Sequence, residues 1–132
     1  MHVPLNHFIR PGLVLHVAYQ KEAEGEGVLR CLEKTAQDTY FEAVEVTSMP
    51  DASVRRRARA ILECAGLQAA FGAQGLLLGA GLSLADTSAS RRQKAVDAVR
   101  RGIEEAVELG AIHCQFLSGT YDPKDEEGAF EA

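Results

Sequence analysis

Short, nearly uninterrupted apolar runs alternate along this chain with longer stretches in which apolar residues return every three or four positions. Residues 13–19 (LVLHVAY) form the first run, rich in Leu, Val and Tyr, and read as a strand buried on both faces. Gly25 and Gly27 interrupt the chain, after which Val28, Leu29, Leu32 and Ala36 recur at helical spacing. The second run, residues 41–47 (FEAVEVT), is again strand-like, and Met49-Pro50-Asp51 turns the chain. Asp51 or Ser53 is placed to cap the helix that follows, in which Val54, Ala58, Ile61, Leu62 and Ala65 share one face. Gly66 ends that helix, where a left-handed residue costs least.

Residues 67–71 form the third run, and a long loop occupies residues 72–87, with Leu76, Leu77 and Leu78 inside it. Loops of that length without regular structure tend to be functional or disordered, and the three leucines, too apolar for disorder, read as a cover over the barrel mouth or as packing against the second loop. The spacing predicts a helix over 88–109, with Val96, Val99, Ile103 and Val107 as its buried stripe and Gly110 as its end. The fourth run is 111–118 (AIHCQFLS), followed by Gly119 and a turn at residues 121–123. Residues 124–132 read as the opening turns of a further helix, with Asp125, Glu126 and Glu127 near its positive end.

Strand–helix–strand repetition at this spacing implies α/β architecture with parallel strands joined by right-handed crossovers. Periodicity alone leaves two arrangements open: a doubly wound sheet or a barrel of β/α units. The 132 residues suffice for one domain over 1–132, and four units fill half of an eight-fold barrel, which needs about 250 residues.

Composition narrows the function. Apolar residues make up 46% and charged residues 25%, as in ordinary globular proteins. A net charge of −5 argues against nucleic-acid binding, which needs a surplus of Lys and Arg. The basic cluster Arg55, Arg56, Arg57 and Arg59 reads instead as the solvated face of the second helix. No apolar run is long enough to span a membrane, and the segment holding His2, Pro4, Asn6 and His7 lacks a signal-peptide layout, so a cytoplasmic location is expected. Cys31, Cys64 and Cys114 are odd in number and never spaced as C-x-x-C, which fits buried small apolar residues in a reducing compartment rather than disulfides or a zinc site.

The stretch LSLADTSASRRQKAVDAVRRGIEEAVELGAIHCQFLSGTYDP, residues 82–123, adds a resemblance. Its R-R-x-x-A-V at 91–96, A-x-E-L-G-A at 106–111 and S-G at 118–119, together with FEAVEVT earlier, resemble the sugar phosphate isomerase/epimerase family. Members of that family share a xylose isomerase-like TIM barrel. The resemblance implies that this chain is the N-terminal half of such a barrel, β/α units one to four with the fourth helix truncated. It also implies a divalent metal in the complete barrel, used for proton transfer next to a carbonyl in a sugar or sugar phosphate. In the family the metal and the acid–base pair are held mainly from strands five to eight. This chain is therefore expected to supply no metal ligand and no catalytic residue, and to be inactive alone.

Barrel enzymes place their sites at the C-terminal strand ends, which singles out candidate substrate-binding residues. Glu45 and Thr47 should face the barrel interior, because Val44 and Val46 alternate with them. A carboxylate there is either an acceptor for a substrate hydroxyl or a structural partner for a neighbouring polar side chain. His16 sits mid-run and reads as an interior residue or a substrate contact; His113, early in its run, reads as structural. Tyr19 and Gln74 lie where runs one and three give way to loops, and Ser118 with Gly119 closes run four. The expected partner is a small carbohydrate. A half barrel also leaves its first and fourth strands unpaired, which invites self-association, including two halves closing about a two-fold axis. The alternative is a self-contained α/β module that binds a small molecule without catalysis.

Overall fold

The computed structural model describes residues 8–120, 124 and 126–131; the readings placed on residues 1–7, on the turn at 121–123 and on Asp125 lie outside them. Four parallel strands lie side by side in chain order: β1 (Gly12–Val14), β2 (Ala43–Thr47), β3 (Gln68–Gly72) and β4 (His113–Gln115). Helices α1 (Leu15–Tyr19), α2 (Gly27–Ala36), α3 (Ala52–Ala65), α4 (Gln74–Leu78), α5 (Ala89–Leu109) and α6 (Glu126–Glu131) complete the order, with a 3-10 turn over Gln20–Ala23. The chain is thus α/β, a four-stranded parallel sheet with intervening helices.

Alternation along the strands sets the two faces of the sheet. Val44, Val46, Ala69 and Phe71 point to the helix side, where they pack with Leu29 and Leu32 of α2, Val54, Ala58 and Leu62 of α3, and Leu109 of α5. Phe71 is 0% exposed, and each such large side chain removed from water contributes about 2–3 kcal/mol. The residues of opposite parity form the other face. The register aligns Val14, Glu45, Ala70 and His113 in one row and Thr47, Gly72 and Gln115 in the next. Val14, His113 and Gln115 in these rows are exposed, so this face is open to solvent.

The helix ends obey local chemistry. The Asp51 side chain caps α3 by accepting from the Ser53 N–H at 2.7 Å. Gly66 and Gly110 adopt left-handed φ of 66° and 72°, letting the Leu67 and Ala111 N–H groups reach back to the Leu62 and Ala106 carbonyls.

Several elements differ from the sequence pattern. The run at 13–19 is a strand only to Val14. From Leu15 it is helical, because Leu15 and Tyr19, one helical turn apart, are its inward-facing residues, whereas Val17 is 64% exposed. A short apolar run reads alike as strand or helix, and packing decides. The third strand starts and ends one residue later than expected. The 72–87 loop contains α4: Leu77 packs on Ala95, Ala98 and Val99 of α5, Leu76 packs on the main core and meets Gly102, and Leu78 is exposed. The buried stripe of α5 is rotated, made of Ala95, Ala98, Val99, Gly102, Ala106 and Leu109, and Ile103 and Val107 are exposed. Small residues win that face because the neighbours come close: a Cβ on Gly102 would sit 2.8 Å from Leu76 and 3.4 Å from Ala73. The fourth strand spans only three residues of the run at 111–118, so Ser118 lies beyond it.

Candidate functional site

The C-terminal ends of β2, β3 and β4 bring three polar side chains to one spot on the open face. Parallel pairing sets Thr47 beside Gly72 and Gly72 beside Gln115, which places Glu45 one step below Thr47 on the same face. Gln115 Nε2 donates to Glu45 Oε2. Gln74, the first residue of α4, comes in from above. A Cβ on Gly72 would lie 2.6 Å from Gln74 Oε1 and 2.6 Å from Glu45 Oε1. The missing side chain of Gly72 is therefore the space in which carboxylate and carboxamide meet.

The cluster pairs one anionic acceptor with two amides that both donate and accept. Among the described residues Glu45 Oε1 accepts no hydrogen bond, so one carboxylate oxygen is held by Gln115 and the other is available. Such a group suits a ligand rich in hydroxyls, each of which can donate to the carboxylate while accepting from an amide. Among the described residues no group of three His, Cys, Asp or Glu side chains could hold a metal ion.

The structure thus joins Glu45 and Gln74 of the residues singled out in the sequence, sets Thr47 in the adjoining row beside Gly72, and leaves His16, Tyr19 and Ser118 elsewhere. Thr47 lines a cleft of about 350 Å³ between Glu24 and the Ser48–Asp51 turn, floored by Val28 and Val54. His16 is exposed on α1 rather than held within a strand. Tyr19 is half-buried at the end of α1, with the Lys34 ammonium 5.6 Å from its ring centre. Ser118 gives its carbonyl to the Leu84 N–H at 2.7 Å and to the Ser83 hydroxyl at 3.4 Å. A Cβ on the adjacent Gly119 would lie 2.6 Å from Ser83 Cα, so this glycine admits the 83–84 loop. Sequence reading passed over Gln115 and Gly72. The signal for Gln115 was present: in 112–116 (IHCQF) the polar residues alternate with the apolar ones, as Glu45 alternates with its valines.

A second set of contacts holds the turn after β2. Glu105 of α5 accepts from the Met49 N–H at 2.8 Å and from the Ser48 hydroxyl at 3.1 Å. Arg55 donates to the Met49 and Pro50 carbonyls at 2.5 and 2.9 Å and to Glu108 at 2.6 Å. Arg57 reaches Glu26 at 2.8 Å, and Arg59 reaches Glu63 at 2.7 Å and the Glu108 carbonyl at 3.3 Å. The arginine cluster is therefore more than a solvated face: Arg55 and Arg59 tie α3 to α5, and Arg57 ties it to the start of α2.

Two carboxyls are held below the usual range. Asp86 owes this first to Arg91, whose Nε donates at 2.6 Å, and then to the Ser88 N–H; Asp51 owes it to Ser53. Burial pushes the thiols of Cys31 and Cys114 up, while Cys64 is exposed. Among the described residues no helix is long and apolar enough to cross a membrane. Compared with known proteins, the chain matches no family model, no curated protein and no solved structure.

Proposed function

We propose that this chain forms four consecutive units of a TIM-type barrel resembling the sugar phosphate isomerases and epimerases, and that it supplies carbohydrate-binding groups to the pocket. The observation that supports this most is the convergence of Glu45, Gln74 and Gln115 over Gly72, on the solvent-open face at the C-terminal strand ends. In an isomerase or epimerase of this kind a proton moves at a carbon next to a carbonyl. The described residues do not fit the divalent metal that the resemblance implies, since they hold no set of three ligands. No proton transfer is therefore assigned to them. Their role is binding: Glu45 accepts from a sugar hydroxyl, and the two amides fix that hydroxyl's neighbours. The exposed Cys64 thiol supports a reducing, cytoplasmic setting.

A second reading is a binding module without catalysis. It is favoured by the Gln115 hydrogen bond, which already engages one oxygen of Glu45 and holds the carboxylate in place as a binding group.

Titration with hexoses and hexose phosphates, followed on the side-chain amide resonances of Gln74 and Gln115, tests both. Saturable shifts at both amides are expected. Glu45→Gln should weaken them about tenfold, the loss of one charge-assisted hydrogen bond, and Gly72→Ala should weaken them by pushing Glu45 and Gln74 apart, with the circular dichroism unchanged in both. Shifts at other residues only, or none with any sugar, would refute the carbohydrate site. Aldose–ketose turnover with added magnesium or manganese is expected to be absent, and robust turnover by this chain would refute its assignment as the binding part.

A further inference from the structure

Both outer strands of the sheet are unpaired on one side among the described residues, since the order runs β1-β2-β3-β4 with no further neighbour. Exposed apolar side chains gather at these two borders. Ile9, Val14 and Val17 flank or belong to the β1 border, and Ile112, Phe116 and Leu117 bracket β4. On α5, Glu105 and Glu108 turn toward Arg55 and the turn after β2, so at 100° per residue Ile103 and Val107 lie on the opposite side, away from α3. Together these eight exposed apolar side chains line both borders of the sheet and one flank of α5.

The open face is patterned for closure. A β/α barrel fills its interior in layers, with the side chains of a layer coming from alternate strands. Here the row containing Glu45 and His113 has Ala70 between them, and the row containing Thr47 and Gln115 has Gly72 between them. The large groups come from β2 and β4 and the small ones from β3. Large groups of a facing copy would find room over Ala70, while the space over Gly72 is taken by Glu45 and Gln74 of the same copy.

We propose that two copies of this chain close into one eight-stranded barrel about a two-fold axis along the strands, with β4 of each copy pairing in parallel with β1 of its partner. The two-fold keeps all eight strands parallel and uses both borders of both copies, so the contact closes instead of propagating. The polar cluster over Gly72 then lies within the barrel mouth rather than on an open surface. This rests on the half-barrel reading above.

Sedimentation equilibrium of the 132-residue chain over a dilution series tests the proposal. A species near 28 kDa, twice the 14.2 kDa chain, is expected at micromolar concentrations. Val107→Glu and Ile112→Asp should yield monomers with unchanged circular dichroism, while Tyr40→Ser, which alters an exposed aromatic before the interior strand β2, should leave the dimer intact. A folded wild-type monomer at 50 micromolar, an open series of larger species, or folded border variants that remain dimeric would overturn it. If the border variants fail to fold, the wild-type dilution series still decides. A monomer that binds sugar refutes the closure alone; a dimer whose Gln74 and Gln115 amides ignore sugars refutes the carbohydrate reading alone.

Discussion

Gln20 carries a backbone conformation, φ 48° and ψ −123°, that side chains other than hydrogen rarely adopt. It is exposed and ends α1, so no packing of its own compensates for the strain. Gln20→Gly should therefore stabilise the chain by about 1 kcal/mol, the relief of strain less the extra entropy of glycine in the unfolded state, measurable by urea denaturation. Unchanged or lower stability would show that the segment after β1 relaxes elsewhere. At this scale the sequence was legible where alternation applied. Glu45 falls between two buried valines, and its face follows from them. His16 and Tyr19 were not, because a seven-residue apolar run carries no sign of the bend after Val14. Gly72 gave no local sign either, because its role depends on Gln74 and Glu45 meeting above it.

Among the elements, the helix ends were readable and the face of α5 was not. Caps are local, and Asp51, Gly66 and Gly110 act within a few residues of themselves. A helix with small residues on one side and Val96, Ile103 and Val107 on another offers two apolar stripes, and only the closeness of Leu76 and Ala73 at Gly102 selects the small one. The start of α5 also bears a pH prediction. Asp86 titrates lower in the folded chain than an ordinary aspartate, through Arg91 and the Ser88 N–H. Its contribution to stability is thus whole above about pH 4 and is lost as the pH falls through the lowered value. Asp86→Asn should lower stability at neutral pH and flatten its decline below about pH 4, as followed by circular dichroism during acid titration. An acid limb as steep as that of the wild type would remove Asp86 from the account.

Across the whole molecule, the α/β order emerged from the alternation of runs, and the strand order is the simplest that such a chain can take. What the pattern left open was the state of the second sheet face, which depends on what lies against it. The interior position of β2 and β3 predicts the hierarchy of stability. Amides of Val46 and Phe71, paired and buried, should exchange with solvent only through global unfolding, with opening free energies within about 1 kcal/mol of the global value. Amides of α1 and of the Gln20–Ala23 turn should open far more readily. Native-state hydrogen exchange measures both, and equal protection of α1 would contradict a core centred on the inner strands.

The hold of Ser118 on Ser83 and Leu84 carries a temporal consequence. The hydrogen-bonded residues Ser83 and Ser118 are separated by 35 positions. On a ribosome adding about 5–20 residues each second, the later one is made roughly 2–7 s after the earlier. For that interval the loop between α4 and α5 is held only by its own ends, through Leu77 and Arg91, and nascent-chain length becomes the clock that adds its tie to the chain after β4.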